Sequence, residues 1–100
     1  MQIKLYKVMC TTPAGAHWFV GSSAVDYGDG SDCLRYTLYS PEAADYSDSY
    51  SLRGSAEVAA QLLRAHPPKN VYAYRPGEGL YVDYVGMSPK VVEFVAEVKD

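Results

Sequence analysis

Residues 2–11, QIKLYKVMCT, alternate along their whole length. Ile3, Leu5, Lys7 and Met9 fall on one side, with Gln2, Lys4, Tyr6 and Val8 on the other. Successive side chains of a strand point to opposite faces, so a run of this period is stable only as a strand with one face against a core. A chain that begins this way must build a sheet, and shorter runs suited to strands follow. Thr12-Pro13-Ala14-Gly15 is a turn, and His17–Val20 forms a second strand closing a hairpin. Residues 21–32, GSSAVDYGDGSD, are turn formers almost throughout. Cys33–Tyr39 is a third strand, with Leu34, Tyr36 and Leu38 sharing a face.

Residues 42–54, EAADYSDSYSLRG, have little to anchor a core. Their serines and aspartates compete for backbone hydrogen bonds and disfavour a helix, while Tyr46, Tyr50 and Leu52 suit irregular or edge-strand contacts. Ser55 reads as an N-cap, with Glu57 in the first turn near the positive end of the helix dipole. Ala56–Ala65 is then a helix with Val58, Ala59, Leu62 and Leu63 on one stripe, stopped by Pro67-Pro68. Val71–Arg75 and Leu80–Val85 are strands joined through Pro76-Gly77-Glu78-Gly79. The last segment, residues 89–99, carries two patterns. Ser88-Pro89 as N-cap and N1, with Lys90, Glu93, Glu97 and Asp100 opposite Val91, Phe94, Val95 and Val98, favours a helix. The alternation of Val92, Phe94, Ala96 and Val98 fits a strand. The expectation is a single α+β domain, 1–100, in the order βββαββα: an antiparallel sheet of about five strands with one or two helices packed on one face.

Chemistry finds little foothold. Asp26, Asp29 and Asp32 are spaced by three, where an EF-hand needs alternate acids and a closing Glu, so Asx turns explain them better than calcium. The Gly-x-Gly pairs at Gly28 and Gly77 are too short for phosphate loops. Cys10 and Cys33 lack zinc spacing. The chain's first residues contain no apolar run of signal-peptide length, so free thiols in a reducing compartment are expected, with a Cys10–Cys33 disulfide as the alternative in an exported chain. Cys10 and His17 could meet across the first hairpin, but no helix N-terminus lowers the thiol's pKa there, and His66 belongs to a helix C-terminus. Glu78 with Asp83, and Glu93 with Glu97, show no cleft between them. Catalytic, metal and cofactor-binding residues are therefore not expected. No stretch approaches the ~20 apolar residues that span a bilayer. The net charge of −3 and the lack of a basic patch argue against direct nucleic-acid binding. Tyr72 and Tyr74 do share a face, while Tyr81 is out of phase with Tyr84.

What stands out is an asymmetry. Residues 21–52 hold six acids and one base, a net of −5, and the other 68 residues hold six acids and eight bases, a net of +2. Ten tyrosines accompany them, four in these flanking segments: Tyr27, Tyr39, Tyr46 and Tyr50. Carboxylates attract a basic partner over about a Debye length, ~8–10 Å in physiological salt, and tyrosines add rigid contact area. The candidate contact residues are Asp26, Tyr27, Asp29, Asp32, Glu42, Asp45, Tyr46, Asp48 and Tyr50. The stretches VDYGDGSD and EAADYSDSYS, in a chain of this length and composition, resemble the small inhibitor proteins of phages and mobile elements, of which the anti-CRISPR proteins are the best-known group; bacterial immunity proteins match in the same way. That resemblance of size and composition implies a non-enzymatic inhibitor acting in a bacterial cytoplasm. Such a protein docks on a basic, nucleic-acid-handling partner such as a nucleoprotein effector. The alternatives are a self-associating module, including a homodimer through sheet edges or through the apolar stripe of the last helix, and a small Cys/His enzyme.

Overall fold

The computed structural model describes residues 1–26 and 32–97, with the backbone alone at 24–26 and 32–34. Strands β1 (Gln2–Thr11), β2 (His17–Asp26) and β3 (Asp32–Tyr39) are followed by a 3₁₀ segment (Pro41–Tyr46) and helix α1 (Arg53–Ala65), then β4 (Asn70–Arg75), β5 (Glu78–Asp83) and β6 (Ser88–Glu97). The strands form one six-stranded sheet in the order β5-β4-β3-β2-β1-β6. No helix among the described residues is long and apolar enough to cross a membrane.

Two expectations are corrected. First, the sheet is mixed, because β3 and β4 pair in parallel, Thr37 with Tyr72 and Tyr39 with Tyr74. The links read as hairpins are hairpins, but residues 40–69 form a crossover long enough to bring the chain back to the end where β3 began. Second, the C-terminal segment is a strand. β6 pairs with β1 over all ten residues, from Gln2↔Glu97 to Thr11↔Ser88. Without it, one side of β1 would have no backbone partners, and the segment's β-branched valines fit the pleat better than a helix. Among the described residues one α-helix packs on the sheet, within the one or two expected, and the 3₁₀ segment lies on the opposite face. β2 also runs on to Asp26, through residues read as turn formers, because β3 pairs with it up to Asp26↔Asp32.

Helix α1 starts at Arg53, two residues before the expected cap, and Leu52 at its N-cap makes no side-chain capping bond. Its buried stripe is Ala56, Ala60 and Leu63, at i, i+4 and i+7, while Val58 and Leu62 are exposed. Two alanines at the contact let the helix lie close to the sheet. Leu63 then fills the core with Val8, Cys10, Trp18, Val20, Leu38, Val71, Ala73 and Tyr84. Arg75 lies over Trp18, its guanidinium carbon 5.1 Å from the ring centre, and closes one end of this layer.

The unusual feature is a seam. β1 and β2 pair only at Met9↔Phe19, Cys10↔Trp18 and Thr11↔His17, then separate. Residues 47–50 enter the gap. Tyr50 exchanges both backbone hydrogen bonds with Tyr6, each 2.8 Å, and Asp48 N–H donates to Val20 C=O at 3.2 Å. The chain thus passes from the 3₁₀ segment on one face, through the sheet, to α1 on the other.

Candidate functional site

The acid-and-tyrosine stretch divides in two. Lys7, in the row of Leu5 and Met9, is buried beneath it. Its ammonium donates to Ala44 C=O (3.1 Å), Ser47 C=O (3.3 Å), Ser47 Oγ (2.9 Å) and Ser49 Oγ (2.8 Å). Burial pulls the Lys7 pKa below its ordinary value, and the nearby carboxylates of Asp45 and Asp48 oppose that shift. Asp48 Oδ2 also accepts from Ser22 N–H at 2.8 Å and Ser22 Oγ–H at 2.7 Å. Tyr50 is half-buried against the core. Asp48 and Tyr50 are therefore fasteners of the seam. Glu42, Asp45 and Tyr46 remain exposed on the 3₁₀ segment. The Glu42 carboxyl is held below its ordinary pKa, chiefly by a hydrogen bond from its own backbone N–H.

Asp26 and Asp32 pair at the far end of β2 and β3 from the 3₁₀ segment, about 23 Å of strand away from Tyr39, and only their backbone is described. Tyr27 and Asp29 lie outside the described residues, as does most of the aspartate loop weighed for calcium. Among the described residues no group of three His, Cys, Asp or Glu side chains could hold a metal ion.

What the fold does assemble is a tyrosine face. Registers Phe19↔Tyr39, Tyr39↔Tyr74 and Tyr72↔Tyr81 put Tyr39, Tyr72, Tyr74 and Tyr81 on the face opposite α1, and Tyr46 reaches them from the 3₁₀ segment. Tyr39, Tyr46 and Tyr74 form a triangle with ring centres 6.1–6.2 Å apart. Tyr72 and Tyr81 meet edge to face at 5.3 Å. Two glycines make room for the rings. A methyl group at Gly21 would come within 2.7 Å of Tyr39 Cε2, and one at Gly79 would overlap the Tyr72 hydroxyl and ring. Thr37, Tyr39, Tyr46, Tyr72 and Tyr74 line a shallow open depression of about 440 Å³. Tyr46 is 70% exposed and Tyr81 72%, unusual values for aromatic rings in a structured cluster. Strand alternation puts Arg35, Asn70 and Asp83 on the same face.

Tyr72 and Tyr74 were legible as a pair. Tyr39 and Tyr46 were not, because no local pattern announces that β3 and β4 lie side by side in parallel. Tyr84, out of phase with Tyr81 in the sequence, belongs to the other face and is buried. Its hydroxyl lies 3.5 Å from the thiol of Cys10, which is free, so no disulfide joins it to Cys33. Burial pushes the pKa of both groups up, which leaves the thiol protonated and a poor nucleophile near neutral pH. His17 pairs with Thr11 while Cys10 pairs with Trp18, so the hairpin turns the two side chains to opposite faces. His17 Nδ1 lies 3.1 Å from Thr11 Oγ1 instead. Compared with protein-family models, curated proteins and solved structures, the chain matches none of them.

Proposed function

We propose that this chain is a non-enzymatic binding protein whose contact surface is the tyrosine face, rimmed by Glu42 and Asp45 and directed at a basic protein partner. The observation that carries the proposal is a packed but exposed ring cluster. Its tyrosines keep each other in place and still present Tyr46 and Tyr81 to solvent. Rings already held in place lose little entropy on contact, and their faces suit arginine side chains. Carboxylates at the rim steer cations and can stand where phosphates stand in an arginine-lined groove. The corresponding role is inhibition, by occupying the basic site of a nucleic-acid-handling protein.

The test begins with affinity capture by the wild-type chain. Dissociation constants for the captured partner are then measured with Tyr46→Ala, Tyr81→Ala and Asp45→Lys at two salt concentrations. Each substitution is expected to weaken binding tenfold or more, and Asp45→Lys also to flatten the salt dependence. Unchanged affinity across the three variants would remove this face as the interface.

A further inference from the structure

The sheet ends on β6, and the outer edge of that strand has a definite hydrogen-bonding phase. Tyr6 turns both its N–H and its C=O toward Tyr50. Across β1, Tyr6 pairs with Glu93, so this is a pair without mutual hydrogen bonds, and the backbone groups of Glu93 point away from the sheet. By alternation Pro89, Val91, Val95 and Glu97 point outward too. Pro89 supports this phase independently, because a proline in a strand fits where its missing N–H would have faced outward. Its carbonyl is taken by Arg64 Nη2 at 2.7 Å. The first part of the edge is therefore closed. Beyond it, no backbone group among the described residues bonds the outward N–H and C=O of Val91, Glu93 and Val95.

We infer that this edge pairs with the same edge of a second copy, antiparallel, about a two-fold axis through Phe94. A two-fold normal to the sheet keeps like faces together, so each register has one central residue opposite itself. Centring on Glu93 sets two carboxylates face to face, and centring on Val95 sets Glu93 against Glu97. Centring on Val92 brings Pro89, with no N–H, against Val95. Centring on Phe94 avoids all three faults. Glu93 meets Val95 and Val91 meets Glu97 in fully bonded pairs, Val92 meets Ala96, and the two Phe94 rings are neighbours. The side chains suit this. Val95 is 58% exposed, and Val92, Phe94 and Ala96 are half-buried. The two Glu93 carboxylates become diagonal neighbours, but each has Lys4 of its own chain at 3.9 Å, and Glu97 has the N-terminal ammonium at 3.8 Å. The result is a continuous twelve-stranded sheet with both tyrosine faces on the same side, a bivalent surface if those faces bind.

Light scattering on the full chain tests this. Wild type is expected at twice the chain mass of 11.0 kDa, and Val95→Pro at the single chain mass with its circular dichroism retained. Val95 N–H makes no bond to another described residue, so proline there removes only the edge. Val95→Lys is the second variant should proline disturb the strand, and it is expected to give the monomer as well. Register is read by oxidative cross-linking in a Cys33→Ser background. Phe94→Cys should link copy to copy, since unbonded pairs sit at about 4.5 Å between Cα atoms, within disulfide reach. Glu93→Cys should not. A monomeric wild type, a dimer that survives both Val95 variants, or linking at 93 instead of 94 each overturns the proposal.

Discussion

Two regions of this molecule are built from the same residue types and are put to opposite uses. The segment 44–50 and the tyrosine face are both rich in tyrosine, and carboxylates accompany each. In the segment, Asp48 and Tyr50 are consumed by the sheet, holding Ser22 and Tyr6 on either side of a gap that Lys7 underpins. On the face, Tyr46 and Tyr81 touch other rings and still show most of their surface to solvent. Composition cannot separate a fastener from a contact. The hydrogen bonds that a residue makes to distant backbone, through its side chain as at Asp48 or its main chain as at Tyr50, can.

The largest break in that comparison is expected at Lys7. Lys7→Met removes the donor from four acceptors and leaves the Ser47 carbonyl without its ammonium partner in the seam, while Ala44 C=O keeps Ser47 N–H and Oγ–H. A loss of about 3 kcal/mol is expected from the midpoint of urea unfolding. A loss below about 1 kcal/mol would mean that water takes over the seam. Asp48→Ala comes next, at about 2 kcal/mol, because it orphans Ser22 N–H. The same substitution at exposed Asp45 should stay within about 0.5 kcal/mol in thermal melts. Equal effects at the two aspartates would erase the distinction drawn between them.

Tyr81→Ala should cost under about 1 kcal/mol of stability, while weakening partner binding by about 1.4 kcal/mol, a tenfold change. The reverse order would make the tyrosine face a structural layer.

The smallest effect is alkaline. The Cys10 thiol, ordinarily near 9.0, and the Tyr84 phenol, ordinarily near 10.0, are both raised by burial in the fold. Above these ordinary values the unfolded chain has lost protons that the folded chain keeps, so stability falls as pH rises. Lys7, lowered from 10.5, acts in the other sense: the unfolded chain keeps a proton that the fold sheds, and stability rises with pH between the two values. Between pH 8 and 10 a decline of about 1 kcal/mol is expected, measured by urea titrations. It should shrink in Cys10→Ala and deepen in Lys7→Met.

Much of the fold was readable from local pattern. β1 came out to its ends, the two hairpins were placed by their turns, and Pro67-Pro68 marked the end of α1. The failures share a cause. The C-terminal segment satisfied both helical and strand periods, and the open side of β1 decided between them. The parallel pairing of β3 and β4 depends on a connection of thirty residues whose path no short window contains. One clue to the seam was visible: a lysine in the row of Leu5 and Met9 must find oxygen acceptors. Which acceptors it finds follows from where residues 44–49 return.

The sequence by itself determined an α+β domain, the strands that start and end at prolines and glycines, and the uneven charge. These are properties of neighbours along the chain, set by backbone sterics and side-chain period. Tertiary structure alone decided which tyrosines meet, which aspartates are spent on the sheet, and that β6 is a strand at the edge of the sheet. Those outcomes depend on backbone groups far apart in sequence finding partners, and each such choice is made only when the whole sheet is closed around it.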